Sequence, residues 1–297
     1  MTEFLHASAM PAMLPAVRGE PRRRRPSAFP LFRVAVLCVV AATVLVPLYA
    51  TAIGGLKNLG ELRTSPFGLP QSWVWSNYGD ILGSLRYWRL LGNSLLIGGL
   101  TTALTLVVAS MAAFAFAHLR FFGNRFLLEY LMLGLLFPAA TAILPLFIKV
   151  RDFGLLDTPW GVVLPQVAFG TAMAILLLRN AFKALPDELL DAALIDGCGY
   201  VRYMLHVTLP LSRPALATVG IIAFVASWNN YLLPLILLDS DGNYPWPLGL
   251  MQYQGQYMAE WQLVLAFVTL SILPAIIVFL VAQRYIVAGL TAGAVKG

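Results

Sequence analysis

Apolar residues in this chain do not alternate; they come in long uninterrupted runs separated by short polar stretches. The first run is Leu31 to Ile53, and five more follow at roughly Asn93 to Ala117, Leu127 to Ile148, Trp160 to Leu178, Pro214 to Leu238 and Trp261 to Ala282. A run of about 20 apolar residues in helical form crosses the ~30 Å hydrocarbon layer of a bilayer, so the pattern predicts six transmembrane helices. Leu31 to Ile53 lacks a small-residue cleavage site after a short apolar core and is read as a retained span, not a leader. The fold class is an all-α integral membrane protein.

One polar interruption has an internal pattern of its own. Leu185 to Leu216 reads LPDELLDAALIDGCGYVRYMLHVTLPLSRPAL, lying between the fourth and fifth runs. Pro186 fits a first helical turn, and Asp187 and Glu188 complement the positive end of the helix dipole. Leu190 and Leu194 then fall one turn apart, as do Leu189 and Ala193, and the small pair Ala192 and Ala193 leaves room for another surface to approach. Asp196-Gly197-Cys198-Gly199 stops this helix, because glycine takes the left-handed backbone at little cost. A second short helix is expected with Tyr200, Tyr203, Met204 and Val207 on one face, Arg202 and His206 on another, and Leu209-Pro210 closing it. The two helices and their turn make a rigid elbow. From the loop alone, an amphipathic helix lying on the membrane is the alternative. A DNA-reading helix pair is excluded by charge, since Arg179, Lys183, Arg202 and Arg213 are balanced by Asp187, Glu188, Asp191 and Asp196.

Composition supports the membrane reading. The 297 residues are 59% hydrophobic and only 11% charged, with a mean hydropathy of +0.78, too apolar for an ordinary soluble domain. The formal net charge of +6 does not imply nucleic acid, because Arg22 to Arg25 directly precede an apolar run and read as a topology signal. Alternating the six spans from a cytoplasmic N-terminus places fourteen Lys and Arg inside: Arg18, Arg22 to Arg25, Arg33, Arg120, Arg125, Arg179, Lys183, Arg202, Arg213, Arg284 and Lys296. Six lie outside, namely Lys57, Arg63, Arg86, Arg89, Lys149 and Arg151, and none falls in 239–260. Both termini and the elbow are therefore expected in the cytoplasm, in a multi-pass protein of the cell membrane. Residues 1–30, with prolines at 11, 15, 21, 26 and 30, are expected to be disordered, and 31–297 to form the transmembrane domain. The 54–92 connection carries Trp73, Trp75, Tyr78, Tyr87 and Trp88, residue types of the membrane interface.

The order and spacing of several strings carry a resemblance. Asp191-Ala192-Ala193, Asp196-Gly197 and Val207-Thr208-Leu209-Pro210 resemble the coupling loop of permease subunits of ATP-binding-cassette importers. Asp191 stands where glutamate is usual and Val207 where isoleucine is usual, changes that keep charge or shape. Asn93-Ser94, Phe121-Phe122-Gly123, Pro145-Leu146-Phe147, Gly154-Leu155-Leu156-Asp157-Thr158, Ser227-Trp228-Asn229-Asn230-Tyr231 and the tail from Gly289 to Gly297 extend the likeness along nearly the whole chain. Together they are similar to the carbohydrate-uptake branch of the family, and within it to the G-type subunit of maltose permeases. The resemblance implies half of a translocation path for a sugar or related polyol, paired with a second permease. It also implies two ATP-binding-cassette ATPase subunits or domains carrying the ATP and Mg, and an extracytoplasmic solute-binding protein. The implied ATPase-coupling residues are Glu188, Asp191, Ala192, Ala193, Asp196, Gly197, Tyr203, Met204, Leu209 and Pro210.

The candidate chemistry agrees with a conduit rather than a catalyst. Ionisable side chains are nearly absent from the spans, apart from Glu129 and Lys149 near the ends of the third, whereas ion-coupled carriers place them mid-membrane. No GKS or GKT phosphate loop occurs, so ATP chemistry belongs to another subunit and this chain binds no cofactor or metal of its own. Ser227, Trp228, Asn229, Asn230 and Tyr231 offer hydrogen-bonding and aromatic groups suited to a neutral hydroxylated solute, and facing lipid would be costly for them. Contact with sugar and interhelical hydrogen bonding with the partner permease both remain open for these residues, and for Gln166 and Thr171. His118 and His206 sit beside basic residues near the inner surface without a carboxylate at useful spacing, which fits lipid headgroups and not catalysis. Cys38 and Cys198 imply neither a disulfide nor a metal site. A carrier or channel working alone is the alternative function, and a membrane enzyme would need a convergent catalytic set that the sequence lacks.

Overall fold

The computed structural model describes residues 29–136, 138–255 and 259–294. Among these residues the chain is all helical, with a lone backbone bridge between Gln254 and Ala259. Contacts divide it at Pro47 into two units. The first consists, as far as it is described, of helix α1 (Phe29–Gly54) up to Pro47, an apolar helix whose Leu37, Val39 and Val40 are exposed. Disorder expected for 1–30 falls outside the described residues except at Phe29 and Pro30, which open α1.

In the second unit, short helices α2 (Leu59–Thr64) and α3 (Ser76–Gly83) precede α4 (Leu85–His118). The Asn58 side chain accepts the Glu61 N–H at 2.8 Å and starts α2. Lys57 is wholly buried, its Nζ donating to the carbonyls of Ser65 at 2.5 Å and Pro66 at 3.3 Å just past the negative end of α2. Of the aromatics in this region, Trp73, Trp75 and Trp88 are exposed, whereas Tyr87 is buried in the bundle and does not face an interface. Tyr87 is buried because α4 begins at Leu85, earlier than the apolar run implied, and its first turns lie under Phe267 and Trp246.

Helix α4 packs most extensively on α7 (Pro159–Lys183) and then on α11 (Arg213–Trp228), which in turn packs on α14 (Trp261–Ala294). Four helical segments are long and apolar enough to cross a bilayer among the described residues: Phe32–Gly54, Leu85–His118, Pro159–Lys183 and Trp261–Val281. Two expected spans are broken instead. The third is split between α5 (Asn124–Leu133) and α6 (Ile143–Asp152), with helical directions bent by 91°. Pro138 lies in that gap, where it has no N–H to donate.

The fifth expected run divides between α11 and α12 (Leu232–Leu237). Asn229 Nδ2 donates back to the Val225 carbonyl at 3.0 Å, and Asn230 Oδ1 accepts the Leu233 N–H at 3.1 Å. The Asn230 side chain thus takes the Leu233 N–H in place of a helix carbonyl, while the Val225 carbonyl keeps its backbone bond from the Asn229 N–H, and Pro234 has no N–H with which to bond the Asn230 carbonyl. Between the fourth and fifth runs lie α8 (Asp187–Ile195), α9 (Tyr200–Tyr203) and α10 (Leu209–Leu211), and the short α13 (Trp246–Gly249) follows α12. The segment from Tyr200 to Leu211 meets α11 at 80°.

Candidate functional site

Two regions hold residues that the sequence singles out: the elbow at one end of the bundle and a largely apolar cavity farther along it. In the elbow, α8 starts at Pro186 with Asp187 and Glu188 in its first turn. It ends in a two-bond closure: Gly197 N–H donates to the Leu194 carbonyl at 3.1 Å, and Cys198 N–H reaches the Ala193 carbonyl at 2.8 Å. That pairing needs a left-handed residue between helix and exit, and Gly197 supplies it at φ +73°.

The second elbow helix differs from its expected form. Leu209-Pro210 does not close it; the chain continues helically to Leu211. A proline at 210 can donate nothing to the His206 carbonyl and would crowd it in a regular α-turn. The backbone here is widened into a π-turn over Met204–Thr208, in which the Leu209 N–H bonds the Met204 carbonyl five residues back.

One side of the elbow is fastened to the bundle. Tyr203 is fully buried, its ring 6.2 Å from that of Phe114 and 6.0 Å from His118, edge-on to the latter. Leu190, Ala193, Cys198, Met204, Val207 and Leu209 pack around the same core, which also holds Phe116, Leu178, Phe182 and Val219 from α4, α7 and α11. Arg179 Nε donates to the Phe116 carbonyl at 3.3 Å, holding the ends of α7 and α4 together. The opposite side is open. Glu188, Asp191, Ala192 and Asp196 are exposed, together with Ile195 at 86% and Val201 at 68% of full exposure. Of the paired alanines, Ala193 therefore faces the bundle and Ala192 faces outward.

Toward the other end, Thr101 and Thr105 of α4, Gln166 and Phe169 of α7, and Ser227 and Asn230 at the α11 break line a cavity of about 310 Å³. Gln166 is 8% exposed, and its Oε1 accepts from Ser227 Oγ at 2.5 Å and Thr101 Oγ1 at 3.2 Å. The structure thus brings Ser227 and Asn230 to the cavity but not their three neighbours. Trp228 is 2% exposed and stacks on Phe224 at 5.5 Å, while Asn229 and Tyr231 are exposed away from the cavity lining. Thr101 and Thr105 escaped the sequence reading; their spacing of one helical turn on an apolar helix was the available signal.

Beyond the cavity, the loop 239–246 gathers several motif residues. The Asp157 carboxylate accepts the N–H groups of Asp239 at 3.0 Å and Ser240 at 2.9 Å, the Ser240 hydroxyl, and Asn243 Nδ2 at 3.2 Å. The hydrogen bond from the Ser240 hydroxyl is the first cause, and the backbone N–H groups the next, that hold this carboxyl well below the usual carboxylate range. Asn93 Nδ2 donates to the carbonyls of Gly242 at 2.8 Å and Tyr244 at 3.0 Å, and the Trp246 N–H donates to Ser94 Oγ at 2.8 Å. Trp246 Nε1 closes the set on the Trp228 carbonyl at 2.8 Å. Among the described residues no group of three or more His, Cys, Asp or Glu is placed to hold a metal ion.

Comparison with known proteins matches residues 89–292 to the family described as "Binding-protein-dependent transport system inner membrane component". The chain is 31% identical over 261 residues to the diacetylchitobiose uptake system permease protein NgcG of Streptomyces coelicolor, covering 87% of this chain and 86% of that one. It is 32% identical over 276 residues to the arabinooligosaccharides transport system permease protein AraQ of Bacillus subtilis, with 91% and 98% covered. The trehalose transport system permease protein SugB of Mycobacterium tuberculosis is 35% identical over 231 residues, with 77% and 84% covered. Among solved structures, a chain of a bacterial ABC transporter involved in the import of the acidic polysaccharide alginate superposes with a TM-score of 0.77 at 24% identity, covering 90% of this chain and 99% of that one, a likeness of fold. A match over more than half of the chain, with relatives aligned along most of their length, places this multi-pass membrane protein in the binding-protein-dependent transport family: it is a permease subunit of an ATP-binding-cassette importer, a transport component and not an enzyme.

Proposed function

We propose that this chain is one of two permease subunits of an ATP-driven importer of sugars or related polyols, and that the elbow is the lever by which ATPase motion reaches the translocation path. The named relatives carry diacetylchitobiose, arabinooligosaccharides and trehalose, which supports a saccharide cargo. Six spans are counted by taking α5 with α6 as one, a bent pair apolar enough to cross together, and α11 with α12, the two halves of the fifth apolar run, as another. The positive-inside bias then puts both termini and the elbow, residues 185–216, on the cytoplasmic side.

The observation that carries the reading is the two-sidedness of the elbow. Tyr203, Met204 and Leu209 lock into the ends of α4, α7 and α11. Glu188, Asp191, Ala192, Ile195 and Val201 stay exposed on the other side. A force applied to the outer face is passed to three long helices at once, because packed interiors shift as bodies and do not deform smoothly. ATP and Mg would act in two ATPase subunits that grip this face. Their closure would drive this chain and its partner permease from an inward-open to an outward-open state, where a solute-binding protein delivers the sugar. Copurification tests it. A tagged chain should retain a second permease and the ATPase, and uptake should require the binding protein; transport into lipid vesicles by this chain alone would overturn the proposal.

A further inference from the structure

At the bundle end remote from the elbow, where Tyr87 and Leu90 of α4 meet Phe267 of α14, an open groove of about 320 Å³ lies between α2 and the start of α14. Leu59, Leu62, Arg63 and Pro66 form one wall, and Trp261 and Leu265 the other. Leu59, Leu62 and Arg63 recur at i, i+3 and i+4, one face of α2, and Pro66 follows just past its end. The walls are held from behind. Lys57, wholly buried, donates to the carbonyls of Ser65 and Pro66, and the Asn58 side chain caps α2. An added Cβ at Gly54 would lie 2.5 Å from Leu265 Cδ1 and 3.3 Å from Leu62 Cδ1, so the end of α1 already touches both α2 and α14. The groove is therefore a built feature and not a gap under a loose loop.

Its lining is hydrocarbon apart from Arg63 and the Trp261 indole, so a saccharide would forfeit most of its hydrogen bonds there, whereas an acyl chain would lose none. Its depth suits the same occupant. One spanning helix ends at Gly54 and another begins at Trp261, which sets the groove at the boundary between acyl chains and headgroups. Leu265, about 6 Å farther into the span than Trp261, is followed at helical spacing by Leu273, Ile276 and Leu280, all three exposed, so it heads an apolar stripe along α14. Arg63 supplies the charge. It is exposed and has neither ion pair nor hydrogen bond among the described residues. Glu61, the acid nearest to it in sequence, is engaged by the Gln71 N–H at 2.5 Å, and Glu260, beside Trp261, does not line the groove. A free guanidinium at the rim of a hydrocarbon slot matches a phosphate joined to an acyl chain.

We infer that this groove seats one phospholipid of the adjoining leaflet, its phosphate on Arg63 and part of one acyl chain between α2 and Leu265. The site ties α2 and the loop after it to the membrane, and it depends on the spanning fold and not on the cargo.

The test is native mass spectrometry of the purified importer complex in detergent, titrated with dioleoylphosphatidylglycerol, with inorganic phosphate as the competing free anion. Wild-type complex should keep at least one lipid through delipidation, and inorganic phosphate should not displace it. Arg63→Gln, at an exposed position that leaves the fold alone, should weaken retention about fivefold, the ratio one cation at an anionic headgroup supports. Leu59→Trp should fill the groove with its own ring and reduce retention at least as far, while the second permease and the ATPase stay in the complex. Because both changes act on one site, the double variant should retain no less lipid than Leu59→Trp alone. Wild-type retention in either variant, no lipid kept by the wild type, displacement by inorganic phosphate, or additive losses in the double variant would overturn the site. Loss of the second permease from Leu59→Trp complexes would also overturn it, by showing that the groove seats that subunit. If the chain purifies without partners, the same titration on it alone still decides the lipid site, so the two readings fail separately.

Discussion

The backbone N–H of Cys198 donates to the carbonyl of Ala193 at 2.8 Å, closing α8 across a glycine that no other residue type matches for freedom at positive φ. The open face of α8 and the helix beginning at Tyr200 are set at their mutual angle by this closure. An added Cβ at Gly197 would meet nothing within 4 Å, so a substitution there is opposed by backbone conformation and not by a clash. Gly197→Val should cost about 1–2 kcal/mol locally. The chain should still insert and pair with the second permease, while ATPase recovery in a pull-down and sugar uptake fall at matched membrane abundance. Gly197→Asn, which tolerates the left-handed region better, should restore part of both. Normal uptake by Gly197→Val would remove the lever from the mechanism.

A second prediction concerns the fastening between Asp157 and Ser240. Asp157 sits at φ +57°, so Asp157→Gly deletes the carboxylate while relieving the backbone, which separates the two effects. The variant should be cut faster by protease within 239–246 than wild type at pH 7. The carboxyl is held below its ordinary range, so its contribution is present above the unfolded value near 4 and is lost only as pH falls through the lower folded value. Wild-type protection should therefore be unchanged between pH 7 and pH 5. Loss of protection within that window would show that another group controls the loop.

What could be read in advance follows the range of the interactions. Pro186, Asp187 and Gly197 act on backbone within a turn of themselves, so the start and stop of α8 were legible from residue order. The widened turn at Met204–Thr208 was not, although Pro210 was in view, because the choice between ending and widening depends on what Tyr203 gains by burial. The break at Asn229–Tyr231 had a local signal, an Asn pair four residues ahead of Pro234, that apolar run length overrode. Gln166 meets Thr101 and Ser227 across 65 and 61 residues, and Asp157 meets Ser240 across 83; no local pattern encodes such partners.

Orientation is tested by thiol labelling in a Cys38→Ser background. Ser240 is a poor site for a reporter because Asp157 engages its hydroxyl. Gly242 is exposed and has open space at its Cβ position. Gly242→Cys should react with an impermeant reagent on intact cells, whereas Cys198 should react only after permeabilisation or in inverted vesicles. The reverse pattern would invert the topology and place the elbow where no cytoplasmic ATPase could reach it.

The last prediction weighs Pro210 against Tyr203. If proline alone imposed the π-turn, Pro210→Ala would let the helix tighten into regular α form, rotating the segment that carries Tyr203 relative to Leu209. One recovered backbone hydrogen bond is worth about 1 kcal/mol. Withdrawing a fully buried Tyr203 from between Phe114 and His118 costs more, since truncating a large buried aromatic typically loses about 3–5 kcal/mol. Burial therefore wins, and Pro210→Ala should keep the π-turn, with stability changed by less than ~1 kcal/mol and near-normal uptake. Tyr203→Ala should loosen the elbow from α4, lowering the thermal stability of the complex and leaving ATP hydrolysis poorly coupled to uptake. Tyr203→Phe keeps the ring and should retain coupling. Thermal unfolding of the purified complex, together with the ratio of sugar imported to ATP hydrolysed, separates these outcomes. A Pro210→Ala variant as uncoupled as Tyr203→Ala would mean that the proline, and not the buried ring, fixes the shape of the elbow.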